Sequence, residues 1–126
     1  MMRLLLHLRN MFKIKQTNSF IWPVKLVTPV SGGKHTTSTF DIEFKRLSQS
    51  EVTKLAEDIQ SDERTAHQIV RDIVVGWPDG SISDGDDDLP FSSSALEQLL
   101  EVPMAAGAIL TAFLDAYNGQ AAKRKN

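Results

Sequence analysis

The most informative absence in this sequence is cysteine, of which the 126 residues contain none. No disulfide, thiolate zinc site or cysteine nucleophile can therefore form, and the composition suits a reducing cytosol. Long apolar runs are also lacking, since the leucines at 4–6 are interrupted by His7 and flanked by arginines. A membrane span needs about 20 apolar residues and a secretory signal about 7–15. The sequence therefore predicts a cytoplasmic protein that does not enter a membrane.

Catalytic signatures are missing as well. The chain has no GxSxG elbow, no GxGxxG fingerprint and no P-loop. Its three histidines are His7, His35 and His67, which lie far apart in the sequence, and its serines precede predicted helices as caps. We predict that the chain is not an enzyme and that it binds no cofactor.

Charge is unevenly distributed along the chain, although the net charge is only -2. Residues 1–46 carry eight Lys/Arg against two Asp/Glu, whereas residues 47–119 carry three against fourteen. This asymmetry fits internal docking of opposite charges, two surfaces with different partners, or ordinary solvated faces. The aromatic side chains Trp22 and Phe40, which a nucleic-acid site would use for stacking, lie on the only face able to form a core. We therefore predict no nucleic-acid partner.

The loop at 76–91 is acidic and invites a metal-site hypothesis. An EF-hand register begun at Asp79 places Asp84 at the glycine position and Pro90 at the bidentate glutamate position. A register begun at Asp84 places Leu89 at the glycine position. Both registers fail, so we predict a solvated loop and no metal site, and its glycines, prolines and aspartates predict no regular structure.

Two strands are predicted near the start of the chain. Phe20, Trp22, Val24 and Leu26 alternate onto one face, and Pro23 makes this an edge strand or one with a break. Residues 36–46 alternate in the same way, and the glycines at 32–33 suit a hairpin loop. The pattern predicts an antiparallel hairpin with a buried face under helices; the members of that face are Trp22, Val24, Phe40, Ile42 and Phe44.

Helical periodicity covers the remainder of the chain. We predict a first helix at 49–60 behind a Ser48 capping box and a second from a Ser61 cap to about Gly76. A third is predicted to open at Ser94, and a fourth spans 103–118 with Pro103 in its first turn. The predicted fold is α+β, a hairpin packed on about four helices in a single domain at 11–119. Residues 1–10 are predicted to be a disordered extension, with Met11 as a candidate start, and residues 120–126 a disordered basic tail.

Two features are candidates for partner contact. Trp77 and Phe91 flank the acidic loop, where they either contact a partner or only anchor the loop. The second feature is a stripe of small residues on the fourth helix, which lets another helix approach closely or packs within the chain. Its members are Ala105, Ala108, Ala112 and Ala116.

The chain resembles the phage tail assembly chaperone family of long-tailed phages and prophages over about 11–126. The resemblance rests on an ordered set of short runs around a variable helical stretch and an acidic loop. The runs are MFKIKQT at 11–17, FIWPV at 20–24, STFDIEFKRL at 38–47, GW at 76–77, LPFS at 89–92, LL at 99–100, VP at 102–103, the alanine-rich helix at 105–116 and KN at 125–126.

The resemblance implies a function that composition and periodicity do not give. It implies a protein of the host bacterial cytoplasm that coats the tape measure protein, recruits tail tube subunits and is not retained in the virion. Association between copies of the chain stays open. The alternative is a structural virion subunit, such as a tail tube or connector component, which a pure-β sandwich would favour over four helices.

Overall fold

A computed structural model describes residues 11–118 of the chain. The predicted extension at 1–10 and the predicted tail at 120–126 lie outside these residues. The described part is a small α+β domain, as predicted. Its elements, in chain order, are β1 (Ser19–Val30), β2 (Lys34–Lys45), α1 (Gln49–Ser61), α2 (Ala66–Ile73), β3 (Val74–Gly76), β4 (Ser83–Asp84), β5 (Asp87–Asp88), α3 (Ser93–Leu100) and α4 (Ala105–Asn118).

The predicted hairpin is present and forms most of a three-stranded sheet in the order β1-β2-β3. The strands β1 and β2 pair antiparallel without a break, from Ser19 opposite Lys45 to Val30 opposite Lys34. Gly32 and Gly33 both have positive φ angles, 91° and 73°, which the tight connection requires and which glycine adopts without strain. The hairpin that was predicted from the two glycines of this loop is therefore confirmed.

The buried residues of the hairpin lie toward its open end, where Ser19 pairs with Lys45, and not toward its glycine loop. Val24, Ile42 and Phe44 are fully buried, as predicted. Trp22 and Phe40 were also predicted to be buried but are only half-buried. Trp22 lies on the outermost strand beside an open groove, and Phe40 adjoins the exposed part of β2. Beyond this point, from 29 to 39, every residue is exposed.

The core forms where α4 crosses the inner face of the hairpin. The rings of Phe44 and Phe113 lie 5.2 Å apart between centroids, and Phe20 stacks on Phe113 at 6.3 Å. The backbone N–H of Leu47 donates to the Tyr117 hydroxyl oxygen at 2.8 Å, which ties the end of the hairpin to the end of α4. One aromatic cluster therefore joins the first and last described elements.

The first two helices differ in how well their starts were predicted. The capping box at Ser48 is confirmed, and α1 matches the predicted span closely. The predicted cap at Ser61 is wrong, because Asp62 has a φ of 58° and closes α1 through hydrogen bonds from its N–H to α1 carbonyls. The second helix begins at Ala66 behind a different capping box, formed by Thr65 and Gln68. It ends at Ile73, where Val74 enters β3.

The later boundaries also differ from prediction. The helix α3 is capped by Ser92, whose hydroxyl accepts from the Ala95 N–H, and the predicted cap Ser94 lies two residues later, inside the helix. The helix α4 begins at Ala105, because Met104 has a φ of 72° and keeps Pro103 outside the helix. The acidic loop does hold regular structure, a two-residue hairpin of β4 and β5 turned at Gly85. The prediction of no regular structure there was wrong, since Gly85 supplies the left-handed residue that a tight hairpin needs.

Within residues 11–118, no single helix has the length and apolar composition to cross a membrane. The helices α3 and α4 reach that length and composition only when taken together, and they are bent by 104° at the break between them.

The aromatic core generates a stability prediction. Phe44→Ala should lower the free energy of unfolding by about 3–5 kcal/mol, because it removes a fully buried ring from contact with Phe113. Urea denaturation followed by circular dichroism measures the change. Val27→Ala, at an exposed position of the same hairpin, serves as the control and should change stability by less than about 0.5 kcal/mol. A loss below about 1 kcal/mol for Phe44→Ala would show that the hairpin is not part of the core.

Candidate partner-binding site

Trp77 and Phe91, two of the predicted contact residues, meet at the base of the acidic loop. Their rings form an edge-to-face pair with centroids 5.0 Å apart. The indole Nε1–H of Trp77 donates to the carbonyl oxygen of Leu89 at 2.8 Å, and Trp77 is only 7% exposed. Phe91 is half-buried. The pair therefore closes the loop at its base, and Phe91 alone presents part of its ring to solvent.

The four alanines of the predicted stripe divide into two pairs. Ala105 and Ala112 are buried within the chain, whereas Ala108 and Ala116 are half-buried. A stripe along α4 therefore does not form one open surface. Ala116 faces a groove, and its small side chain leaves that groove open.

This groove lies between the outer strand and the last helix, and we call it the β1–α4 groove. It has a volume of about 370 Å³ and is open to solvent. Half-buried aromatic rings form its walls, and its only charged side chain is a single arginine. The lining residues are Phe20, Ile21, Trp22, Arg46, Ala116 and Tyr117.

Arg46 is positioned across the mouth of the β1–α4 groove. Its guanidinium carbon lies 5.0 Å from the centroid of the Phe20 ring, and its Nε–H donates to the carbonyl oxygen of Thr17 at 2.9 Å. Among residues 11–118, no carboxylate oxygen lies within 4.0 Å of this guanidinium. Arg46 is thus oriented by a ring and a carbonyl while its charge stays available.

A second cavity, of about 510 Å³, lies under α1. Its floor is apolar, from Leu47, Leu55 and Ile73, and its rim carries charges of both signs. The helix α1 buries only Leu55 and Asp58, so it is held to the domain by few apolar contacts. The rim cations are Lys45, Lys54 and Arg64, and the rim anions are Glu51 and Asp72.

Asp58, the other buried residue of α1, is held by ion pairs. It is 2% exposed, accepts from Lys54 Nζ at 2.9 Å and from Arg64 at 3.4 Å. Arg64 also pairs with Asp72 on α2, which links the two helices through one charge network. The hydrogen bond from Lys54, followed by that from Arg64, holds the pKa of Asp58 below its ordinary value of 3.8, against the opposing effect of burial.

The acidic residues of the loop are all exposed. The Oδ1 atom of Asp88 accepts the Gly80 N–H at 2.8 Å, a contact that stabilises the small hairpin without a cation. Within the described part of the chain, no group of three acidic or histidine side chains is arranged to hold a metal ion.

Large apolar side chains are exposed at two further places. Phe12 and Ile14, just before β1, are 81% and 91% exposed, and Lys13 and Lys15 alternate with them. Met104, at the break between α3 and α4, is 76% exposed. Contiguous exposed apolar surface is typical of sites that contact other proteins, whereas single exposed apolar side chains are normal on a protein surface.

The β1–α4 groove was not predicted, although part of its signal was present. Pro23 indicates an edge strand, because proline cannot donate to a neighbouring strand. The other wall comes from Ala116 and Tyr117, more than ninety residues later in the chain. Only the fold brings these residues together.

The described residues thus form a small α+β domain with an open groove beside an outer strand. A family model described as phage tail assembly chaperone matches residues 9–126. The chain therefore belongs to the phage tail assembly chaperone family, which is not a class of enzymes. No curated protein and no solved structure matches the chain.

The lowered pKa of Asp58 generates a prediction about acid stability. Because the folded-state pKa lies below the unfolded one, the ion pair stabilises the fold above pH 3.8 and is lost as the pH falls through the folded-state value. Asp58→Asn should therefore be less stable than the wild type at neutral pH, and the difference should shrink below pH 3.8. Urea denaturation across this range measures it.

The control for this experiment is Asp86→Asn, which removes an exposed carboxylate and should leave stability unchanged at every pH. The pKa of Glu97 is also lowered, by its hydrogen bond to Arg71, but that effect is common to both proteins and cancels in the difference. A difference that persists undiminished well below pH 3.8 would show that the ion pair is not its cause.

A separate prediction concerns cations. Millimolar calcium or magnesium should leave the melting temperature unchanged, because a solvated loop gains no bound-state stabilisation. Differential scanning calorimetry measures the shift. A saturable rise of several degrees that disappears in an Asp86→Asn, Asp88→Asn double variant would establish the metal site that the sequence argues against.

Proposed function

We propose that this chain binds the tape measure protein of its phage and keeps it soluble during tail assembly. In this proposal it acts in the host bacterial cytoplasm, helps to recruit tail tube subunits and is absent from the finished virion. The observation that carries the proposal is the match of the phage tail assembly chaperone family to residues 9–126.

The surface chemistry supports a binding role of this kind. A protein that holds an aggregation-prone partner must offer apolar contacts and yet remain soluble itself. Here the exposed Phe12, Ile14 and Met104 provide apolar surface. The exposed aspartates of the β4–β5 hairpin provide solubilising charge at a different place.

The six contact candidates from the sequence differ in how accessible they are to a partner. Phe91, Ala108 and Ala116 are partly exposed and can meet a partner without rearrangement. Trp77 is buried and its indole N–H is bonded to Leu89, so its contact with a partner requires the base of the loop to open. Ala105 and Ala112 are buried against the chain's own core.

Co-expression tests the proposal. The cognate tape measure protein should remain in the soluble fraction when this chain is present and precipitate when it is absent. Equal precipitation in both cultures, together with recovery of the chain in purified tails, would contradict the chaperone role. That result would favour the structural virion subunit, a tail tube or connector component.

Two matched variants locate the contact. Phe91→Ala and Leu89→Ala each shorten a half-buried apolar side chain at the end of the acidic loop, and both keep the Leu89 carbonyl that accepts from Trp77. If Phe91 contacts the client, Phe91→Ala should reduce the soluble tape measure protein more than Leu89→Ala at equal chaperone stability. Equal effects would assign Phe91 to anchoring the loop.

A further inference from the structure

The outer edge of β1 carries backbone groups that have no strand beside them. Among residues 11–118, β1 pairs only with β2. The N–H of Arg46 donates to the carbonyl oxygen of Asn18, so even-numbered residues of β1 bond to β2 and odd-numbered residues face outward. The outward N–H groups in the strand are therefore those of Ser19, Ile21, Lys25 and Val27, since Pro23 and Pro29 have none.

The two prolines divide this edge into short sections. A long unpaired edge pairs with any extended chain, and proline is one of the residues by which natural proteins block such pairing. The section before Pro23 holds the outward N–H of Ile21 and lies directly along the β1–α4 groove. This section of the edge therefore has both unpaired backbone groups and an apolar groove beside it.

This combination matches a known mode of peptide recognition. An extended segment that adds to a strand edge gains main-chain hydrogen bonds, while alternate side chains enter a pocket that sets specificity. The pocket here is lined by Phe20, Trp22, Ala116 and Tyr117, which favour apolar side chains. A section of about three to five residues fits the edge before Lys25, at about 3.3 Å per residue.

Charge selects among apolar segments. Arg46 is the only ionisable group in the groove apart from the Tyr117 hydroxyl, which already accepts from Leu47. Its guanidinium has no carboxylate partner among the described residues, and a guanidinium binds a carboxylate through charge-assisted, directional hydrogen bonds. A segment with lysine at this point would meet a like charge.

We propose that the β1–α4 groove binds an extended, apolar peptide segment that carries a carboxylate, added as a strand beside residues 19–23 and paired with Arg46. This deepens the proposed function, on which it rests for the biological source of the segment, the client protein. It names where on the chaperone that segment docks and which chemistry distinguishes it.

The test uses purified protein and two peptides. Both are blocked hexapeptides that begin with alternating valine and threonine; one ends in two glutamates and the other in two lysines. Titration followed by NMR should move the backbone amide signals of Ile21 and Tyr117 and the indole signal of Trp22. The glutamate peptide should bind about tenfold more tightly, as one charge-assisted pair implies.

Variants separate the groove from general attraction. Arg46→Gln should abolish the preference between the peptides, whereas Lys25→Gln, which removes an exposed cation from β1 outside the groove, should leave it intact. Ala116→Leu should weaken both peptides by filling the groove. Should Ala116→Leu not fold, Arg46→Gln decides alone, because its side chain is outside the buried core.

Three outcomes would overturn the inference. If both peptides bind with equal affinity and Arg46→Gln does not change that affinity, the groove does not select a segment that carries a carboxylate. Signal changes only around the cavity under α1 would place binding elsewhere. Changes at Ile21 and Trp22 on raising the protein concentration without peptide would make a second copy of the chain the occupant. Because the peptides replace the tape measure protein, failure here is distinguishable from failure of client solubilisation.

Discussion

The rest of the structure depends on one apolar contact, that between the inner face of the hairpin and α4. A two-stranded hairpin is marginal in water, so its aromatic face must be covered. The contact of Phe44 with Phe113 provides that cover, and the bond from Leu47 to Tyr117 fixes its end. With the first and last described elements joined in this way, α2 and α3 complete the core. The helix α1 adds Leu55 to that core and is linked to α2 through Arg64, which contacts both Asp58 and Asp72.

The lengths of these elements explain where the chain is left open. A helix of 14 residues such as α4 spans about 21 Å, whereas a strand of 12 residues spans about 40 Å. One helix cannot cover the hairpin, and the half from 29 to 39 extends past the core with its side chains exposed. The helix also leaves uncovered the far side of β1, which produces the edge and the β1–α4 groove. The open edge and the β1–α4 groove therefore follow from incomplete coverage of the hairpin and need no separate element.

Local patterns predicted the fold class, the hairpin and its glycine loop, and the Ser48 capping box, because each depends on residues close in sequence. The starts of α2 and α3 were missed because Ser61, Thr65, Ser92 and Ser94 are all acceptable caps by type, and only packing chooses among them. Pro103 was predicted to lie in the first turn of α4, but the left-handed conformation of Met104 places it before the helix. The candidate site was predicted least, since its walls come from opposite ends of the chain. Of the two roles that the sequence left open for Trp77, the structure shows the anchoring of its loop through the bond to Leu89.

The same groups that invite binding are also those that a chaperone must restrain. A bare strand edge beside aromatic rings is a template for aggregation, and a protein that handles apolar clients is exposed to that risk at every encounter. Here Pro23 and Pro29 remove two outward donors, so the edge cannot pair along its whole length. In the proposed docking mode, Arg46 adds a charge requirement at the section before Pro23. Restricting pairing to a short section gives weak, reversible contacts of limited length. Such contacts suit the proposed role, in which a chaperone holds a client during assembly and then releases it.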